Sequence, residues 1–145
     1  MGVKLRVPLR TQRASMECWY VAAYMVAQYR MEGPRLGLPD KWVPNWGIQP
    51  SDIARLAKAE GLKPIVLPPG NLTESQLETL LRTKGPLWCA GNWDGVGHAV
   101  VLTGVERGMV YINDPNPAKG TRVETVDWFN KKLFRWPDSL MYKAP

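Results

Sequence analysis

The chain has one histidine and two cysteines in 145 residues, and each scarcity removes a class of explanation. A structural zinc site takes four Cys or His ligands at close spacing, which Cys18, Cys89 and His98 together do not supply. No metal and no cofactor is expected. Two cysteines allow one disulfide at most, and their local contexts differ too much for the framework of a small secreted domain, so a reducing compartment is expected. No apolar run approaches the roughly 20 residues that span a bilayer. Met1 to Pro8 carries basic residues without the apolar core or cleavage pattern of a secretory signal. Repeats, low-complexity blocks and linkers are also missing. A single domain over residues 1–145 is expected, long enough to bury a core without staples.

Charge of one sign is in modest excess, with 19 Lys and Arg against 13 Asp and Glu and a net +6. Such a balance raises the question of an acidic partner, nucleic acid first. The basic residues are scattered, Lys131-Lys132 is the densest cluster, and no nucleic-acid module surrounds it. A solvated surface accounts for the charge, so neither a nucleic-acid nor a membrane partner is expected.

The hydrophobic pattern changes character along the chain. Met1 to Arg13 reads as extended, with Pro8 keeping its predecessor out of helix. Ser15 offers an N-cap to a helix from Met16 to about Tyr29 that is apolar nearly all round, the mark of a buried helix. Gly33 to Pro50 reads as an ordered loop containing Trp42 and Trp46, and a second helix runs from Ser51 to Glu60. A third starts at Thr73, where Thr73-x-x-Gln76 forms a capping box with Leu72 and Leu77 as a staple, and ends at Gly85. After Pro86 the runs are short and rich in Val, Leu, Ile, Trp and Tyr: Leu87 to Ala90, His98 to Gly104 and Met109 to Asn113. A short helix near Glu124 to Leu133 and a strand near Ser139 to Tyr142 follow. Helices first and strands second make an α+β domain.

Cys18 falls in the first turn of the first helix, where unbonded N–H groups and the helix dipole favour a thiolate over a thiol of ordinary pKa about 8.5. The ordinary alternative is a buried structural cysteine. A thiolate nucleophile works with a histidine that holds its proton and returns it to a leaving group, and His98 is the sole candidate. It follows Gly95-Val96-Gly97, whose glycines let a substrate backbone approach, and it opens an apolar strand. Otherwise it is a satisfied histidine at a strand edge. Asp114 is the candidate to orient it. A three-residue loop Val105-Glu106-Arg107 puts Asp114 opposite His98 on one face, accepting the imidazole Nδ1–H. A tighter turn at Arg107-Gly108 puts Asp114 opposite Val101 instead. The plainer role for Asp114 is a turn residue in Asn113-Asp114-Pro115, and Asn113 is its rival as orienter, although alternation points Asn113 to the other face. Gln12, on the extended lead into the helix, could pair its amide with the Cys18 N–H as an oxyanion hole; by itself an exposed glutamine is a surface residue. Trp93, Asp94 and Gly97, beside the base, are candidate substrate-binding residues, with packing as the equal alternative for Trp93. Cys89 reads as a small buried hydrophobe.

Gln12, Cys18-Trp19, Gly97-His98-Ala99-Val100-Val101 and Asn113-Asp114-Pro115, taken in order, resemble the papain-like cysteine proteases. The compact bacterial branch is most similar, with its bacteriocin-processing double-glycine peptidases and injected effector proteases, in which the third member is an Asp before Pro. The resemblance implies an α+β papain-like fold, a central N-terminal helix carrying the Cys packed on a small antiparallel sheet carrying His and Asp. It implies a monomeric endopeptidase acting on a protein, with small residues such as Gly-Gly before the cut. It further implies an effector or interbacterial toxin that works in the reducing cytoplasm of a target cell, with a cognate immunity protein in the producer. A deamidase, transglutaminase or peptidoglycan amidase would keep the triad and change the acceptor, and a non-catalytic basic binding module would leave Cys and His structural. Two departures stand out. The chain has less strand material than larger members, which implies a cleft that is shallow or completed by a partner, and Glu17 precedes Cys18 and is expected to face solvent.

Overall fold

The computed structural model describes residues 2–11, 18–30, 61–95 and 97–143. The expected loop 33–50 and helix 51–60 lie outside the described residues, as do Gln12, Ser15, Met16 and Glu17. Within them the elements follow in the order β1 (Val3–Lys4), α1 (Cys18–Arg30), β2 (Leu62–Pro64), α2 (Glu74–Lys84), β3 (Leu87–Gly91), β4 (His98–Glu106), β5 (Met109–Asn113), β6 (Thr121–Thr125), α3 (Val126–Lys132) and β7 (Leu140–Lys143). The seven strands form one sheet in the order β2-β7-β3-β4-β5-β6, with β1 added to the far half of β4. Every pairing is antiparallel. The α+β class expected from helices preceding strands holds.

Both faces of the central strands are covered, which is why their sequences run apolar without alternation. Trp88, Ala90, Ala99, Val101 and Met141 join the α1 residues Trp19, Ala22, Ala23, Met25 and Val26 in one cluster. Their neighbours Leu87, Cys89, Val100, Leu102 and Leu140 point the other way, into a second cluster with Leu77 and Leu81 of α2 and Phe129 of α3. The period of two along a strand produces this division. Ala22 and Ala23 are fully buried, and with Ala90 and Ala99 in the same cluster the helix lies close on the sheet. The Trp88 indole Nε1–H donates to the Trp19 carbonyl at 3.0 Å, fastening the first turn of α1 to β3.

The capping box appears as expected: Thr73 Oγ1 accepts from Gln76 N at 3.1 Å and Gln76 Oε1 accepts from Thr73 N at 2.8 Å. Gly85 closes α2 with φ 84°. The β4–β5 connection corrects the three-residue loop. It is a two-residue turn, Arg107-Gly108, with φ 54° and 78°, the doubly left-handed turn whose twist matches a hairpin. A bulge between Leu102 and Gly104 then shifts the register by one, pairing Val101 with Asn113. Neither expected register, with Asp114 opposite His98 or opposite Val101, is therefore realised. β2 and β6 are further strands beyond those expected from the sequence.

Candidate functional site

His98 is the first residue of β4, paired with Gly91 at the end of β3. Asp114 follows the last residue of β5, in the turn to β6. Although they are not cross-strand partners, their side chains meet: His98 Nε2 lies 2.6 Å from Asp114 Oδ1. This corrects the expected Nδ1 contact. The turn after β5 delivers the carboxylate to the imidazole. Asp114 N donates to Gly120 O at 2.9 Å, and Asp114 Oδ1 accepts from Asn116 N at 2.9 Å. The carboxylate thus closes an Asx-type turn and contacts the imidazole at once. Asn113, the rival, turns its amide to Val7 O at 2.8 Å and takes no part in orienting His98.

The Asp114 side chain has no exposed surface, while that of His98 keeps 12%. Burial raises the Asp114 pKa, but the hydrogen bond and charge of His98, the Asn116 N–H and Arg122 outweigh it and hold the carboxyl below its ordinary range. Arg122 is the member that sequence reasoning missed. Its Nη1 donates to Asp114 Oδ2 at 2.9 Å and to Asp94 Oδ2 at 2.9 Å, and its Nη2 to Asp94 Oδ1 at 3.1 Å and Glu124 Oε2 at 3.0 Å. Burial lowers its pKa, and the hydrogen bonds it donates to three carboxylates more than reverse that. The alternation Thr121-Arg122-Val123-Glu124-Thr125, with β-branched residues at every second place, was the available signal for the strand that carries it.

Cys18 is the first described residue of α1. Its chain neighbour Trp19 and the chain neighbour of His98, Ala99, belong to the same apolar cluster. Gln12, expected to supply an oxyanion donor, lies outside the described residues. Trp93 does not wall a cleft. Its side chain is 1% exposed, with its ring stacked on Phe129 at 5.4 Å and tilted against Trp128 at 5.4 Å, because the second cluster needs a large apolar filler there. Asp94 is committed to Arg122 and, at 3.8 Å, to Lys119. Next to Gly97 stands Phe134, which a Cβ on that glycine would meet at 3.7 Å. Phe134 stacks on Trp136 at 4.4 Å. Cys89 is fully buried, donates weakly to Leu87 O at 3.4 Å, and has its thiol pKa pushed far up by burial. Among the described residues no group of three or more His, Cys, Asp or Glu is arranged to hold a metal ion, and no helix is long and apolar enough to cross a membrane.

Known proteins agree with this architecture. The chain is similar in fold to the peptidase domain of ComA from Streptococcus mutans, at TM-score 0.64 and 17% identity over 94% of this chain and 98% of that one. A Streptococcus ComA peptidase domain matches at TM-score 0.69 and 16% identity over 96% and 100%. A double glycine motif protease from an AMS/PCAT transporter, solved in complex with its leader peptide, matches at 0.56 and 24% over 95% and 90%. The family model of the papain-like cysteine protease AvrRpt2 matches residues 1–134. With that model spanning both the α1 start and the His98–Asp114 pair, the chain belongs to the papain-like cysteine protease family of AvrRpt2, and it is a papain-like cysteine peptidase.

Proposed function

We propose that Cys18, His98 and Asp114 form the catalytic triad of an endopeptidase that cuts a peptide bond in a protein, with Gln12 contributing to the oxyanion hole. The observation that carries this reading is the 2.6 Å contact of His98 Nε2 with a fully buried Asp114, in a peptidase that carries Cys18 on α1. With Nε2 engaged by the carboxylate, Nδ1 is the nitrogen that takes the Cys18 proton. The thiolate attacks the scissile carbonyl and forms a C–S bond. The oxyanion rests on the Cys18 N–H and the Gln12 amide. Imidazolium Nδ1–H gives its proton to the amine as the C–N bond breaks. Water, deprotonated by His98, then releases the acid and restores the thiol. Asp114 keeps the ring in the tautomer and orientation that each transfer needs.

One fold neighbour is a double glycine motif protease bound to a leader peptide. By analogy the substrate here carries small residues, such as Gly-Gly, before the cut, which the glycines at positions 95 and 97 would admit closely. The biological reading that goes with it is an effector or toxin acting in the reducing cytoplasm of a target cell, restrained in its producer by an immunity protein. The test is a mass-spectrometric survey of new N-termini in bacterial lysate treated with wild type or Cys18→Ala. New N-termini that follow small residues and need Cys18 are expected. Mass gains of about one dalton without cleavage, the mark of deamidation through the same acyl-enzyme, would refute peptide-bond cleavage as the outcome.

A further inference from the structure

β6 presents its residues in the reverse of the usual order. Val123 is 48% exposed, whereas Arg122 and Glu124 turn inward. The side chain of Arg122 keeps only 12% of its surface. A valine outward and a guanidinium inward costs burial energy and desolvation together, so the arrangement calls for a reason beyond packing. The partners supply it. Arg122 faces Asp94 on the connection leading to His98, Asp114 after β5, Glu124 on its own strand, and the Trp128 ring of α3 at 5.1 Å, with Lys119 beside Asp94. Asp114 divides its two oxygens accordingly. Oδ1 serves His98 and Asn116 N, and Oδ2 serves Arg122.

We propose that Arg122 is a positioning residue of the catalytic site, tying the Asp114 carboxylate and the segment that carries His98 to one rigid guanidinium. This rests on the triad reading of His98 and Asp114. A carboxylate held by one oxygen can rotate about its χ2, and a second donor on the other oxygen removes that freedom. The planar fork of arginine spans Asp94 and Asp114 at once, which a lysine ammonium does not. Arg122 touches neither the scissile bond nor the sulfur in this scheme and acts through Asp114.

His98 is the sole histidine, so its imidazole resonances in the full-length isotope-labelled chain are read without assignment ambiguity. In Arg122→Gln the midpoint of the His98 titration moves to higher pH, because Asp114 no longer shares its charge with a guanidinium. In the same variant kcat on a cleaved test peptide falls about tenfold to a hundredfold, with KM changed by less than about threefold. In an Asp114→Asn background the further change Arg122→Gln alters both readouts by less than about twofold, since the route through the carboxylate is gone. An unmoved titration in folded Arg122→Gln, or an undiminished effect in the Asp114→Asn background, overturns the proposal. If Arg122→Gln does not fold, Arg122→Lys takes its place, keeping the charge and losing the fork, and is expected to lower kcat at unchanged KM. Glu124→Gln is the control for a merely structural role. It takes the charge from a partner of Arg122 other than Asp114, and a titration shift as large as that of Arg122→Gln would count against the proposal. The titration needs no turnover, so a chain that failed to cleave would leave this coupling measurable and refute only the triad's activity.

Discussion

Burial alone would drive the Asp114 carboxyl towards its neutral form, yet the sum of His98, the Asn116 N–H and Arg122 holds it ionised. Asp114→Asn keeps an oxygen for the imidazole and loses the charge, so partial activity is expected, measured as kcat/KM on a peptide cleaved by wild type. Asp114→Ala leaves Arg122 facing one buried carboxylate fewer and the imidazole without its anchor. A loss of about 3 kcal/mol is expected, which corresponds to a fall in Tm of about 6–12 °C. The two cysteines separate by the same physics. Burial raises the Cys89 thiol far above neutrality, while Cys18, on α1, is the proposed nucleophile. Iodoacetamide at neutral pH should therefore add one carbamidomethyl group to the native protein, at Cys18, and reach Cys89 only after unfolding. Labelling of Cys89 in the folded chain, read by peptide mass mapping, would contradict its assignment to the core.

Two small devices set the arrangement of α2 and α3. The Thr73–Gln76 box satisfies N–H groups that open α2, and Thr73→Ala is expected to cost about 1 kcal/mol, visible as a lower urea midpoint at unchanged m-value. Asn130 of α3 binds Leu72 twice, accepting from its N–H at 2.7 Å and donating to its carbonyl at 2.8 Å, and also donates to Val126 O at 3.0 Å. This is a buried amide joining two elements far apart in sequence. Asn130→Ala strands the Leu72 N–H and carbonyl in the second apolar cluster. The expected loss is about 2–3 kcal/mol, larger than for Thr73→Ala because water cannot replace the lost partner there. The hairpin turn Arg107-Gly108 belongs to the same scale. It sets the pairing of β4 with β5, its Gly108 N donates to Glu74 Oε1 at 2.5 Å and its Gly108 O accepts from Val126 N at 2.9 Å, so one turn docks the starts of both helices.

The described residues form a sheet with apolar clusters on both faces and an ion network around Arg122, and the stability of the protein should depend on acid. Asp114 and Asp94 both have pKa values held below normal, Asp94 chiefly by Arg122. A depressed folded pKa gives stability that is present above the unfolded value of about 3.9 and is lost as pH falls through the folded value. Denaturant unfolding from pH 6 down to pH 2 should show that decline, with a shallower slope in Asp114→Asn. Much of this architecture was legible along the chain: the buried helix from its all-round apolar surface, α2 from its capping box, and the central strands from short β-branched runs; the proposed site residues Cys18, His98 and Asp114 were singled out by residue chemistry and order. Those are local properties, determined by hydrophobic period, capping chemistry and the few residue types able to act as nucleophile or base. Three things belonged to tertiary structure alone. The register of β4 on β5 depends on a bulge at Thr103 that no local preference announces. Trp93 was open between cleft and core until Phe129 and Trp128 closed around it. Arg122 reads as an ordinary surface charge until the folding of β6 beside β5 brings it to Asp114, because the energy of a charged side chain is decided by which opposite charges, remote in sequence, surround it once water has been excluded.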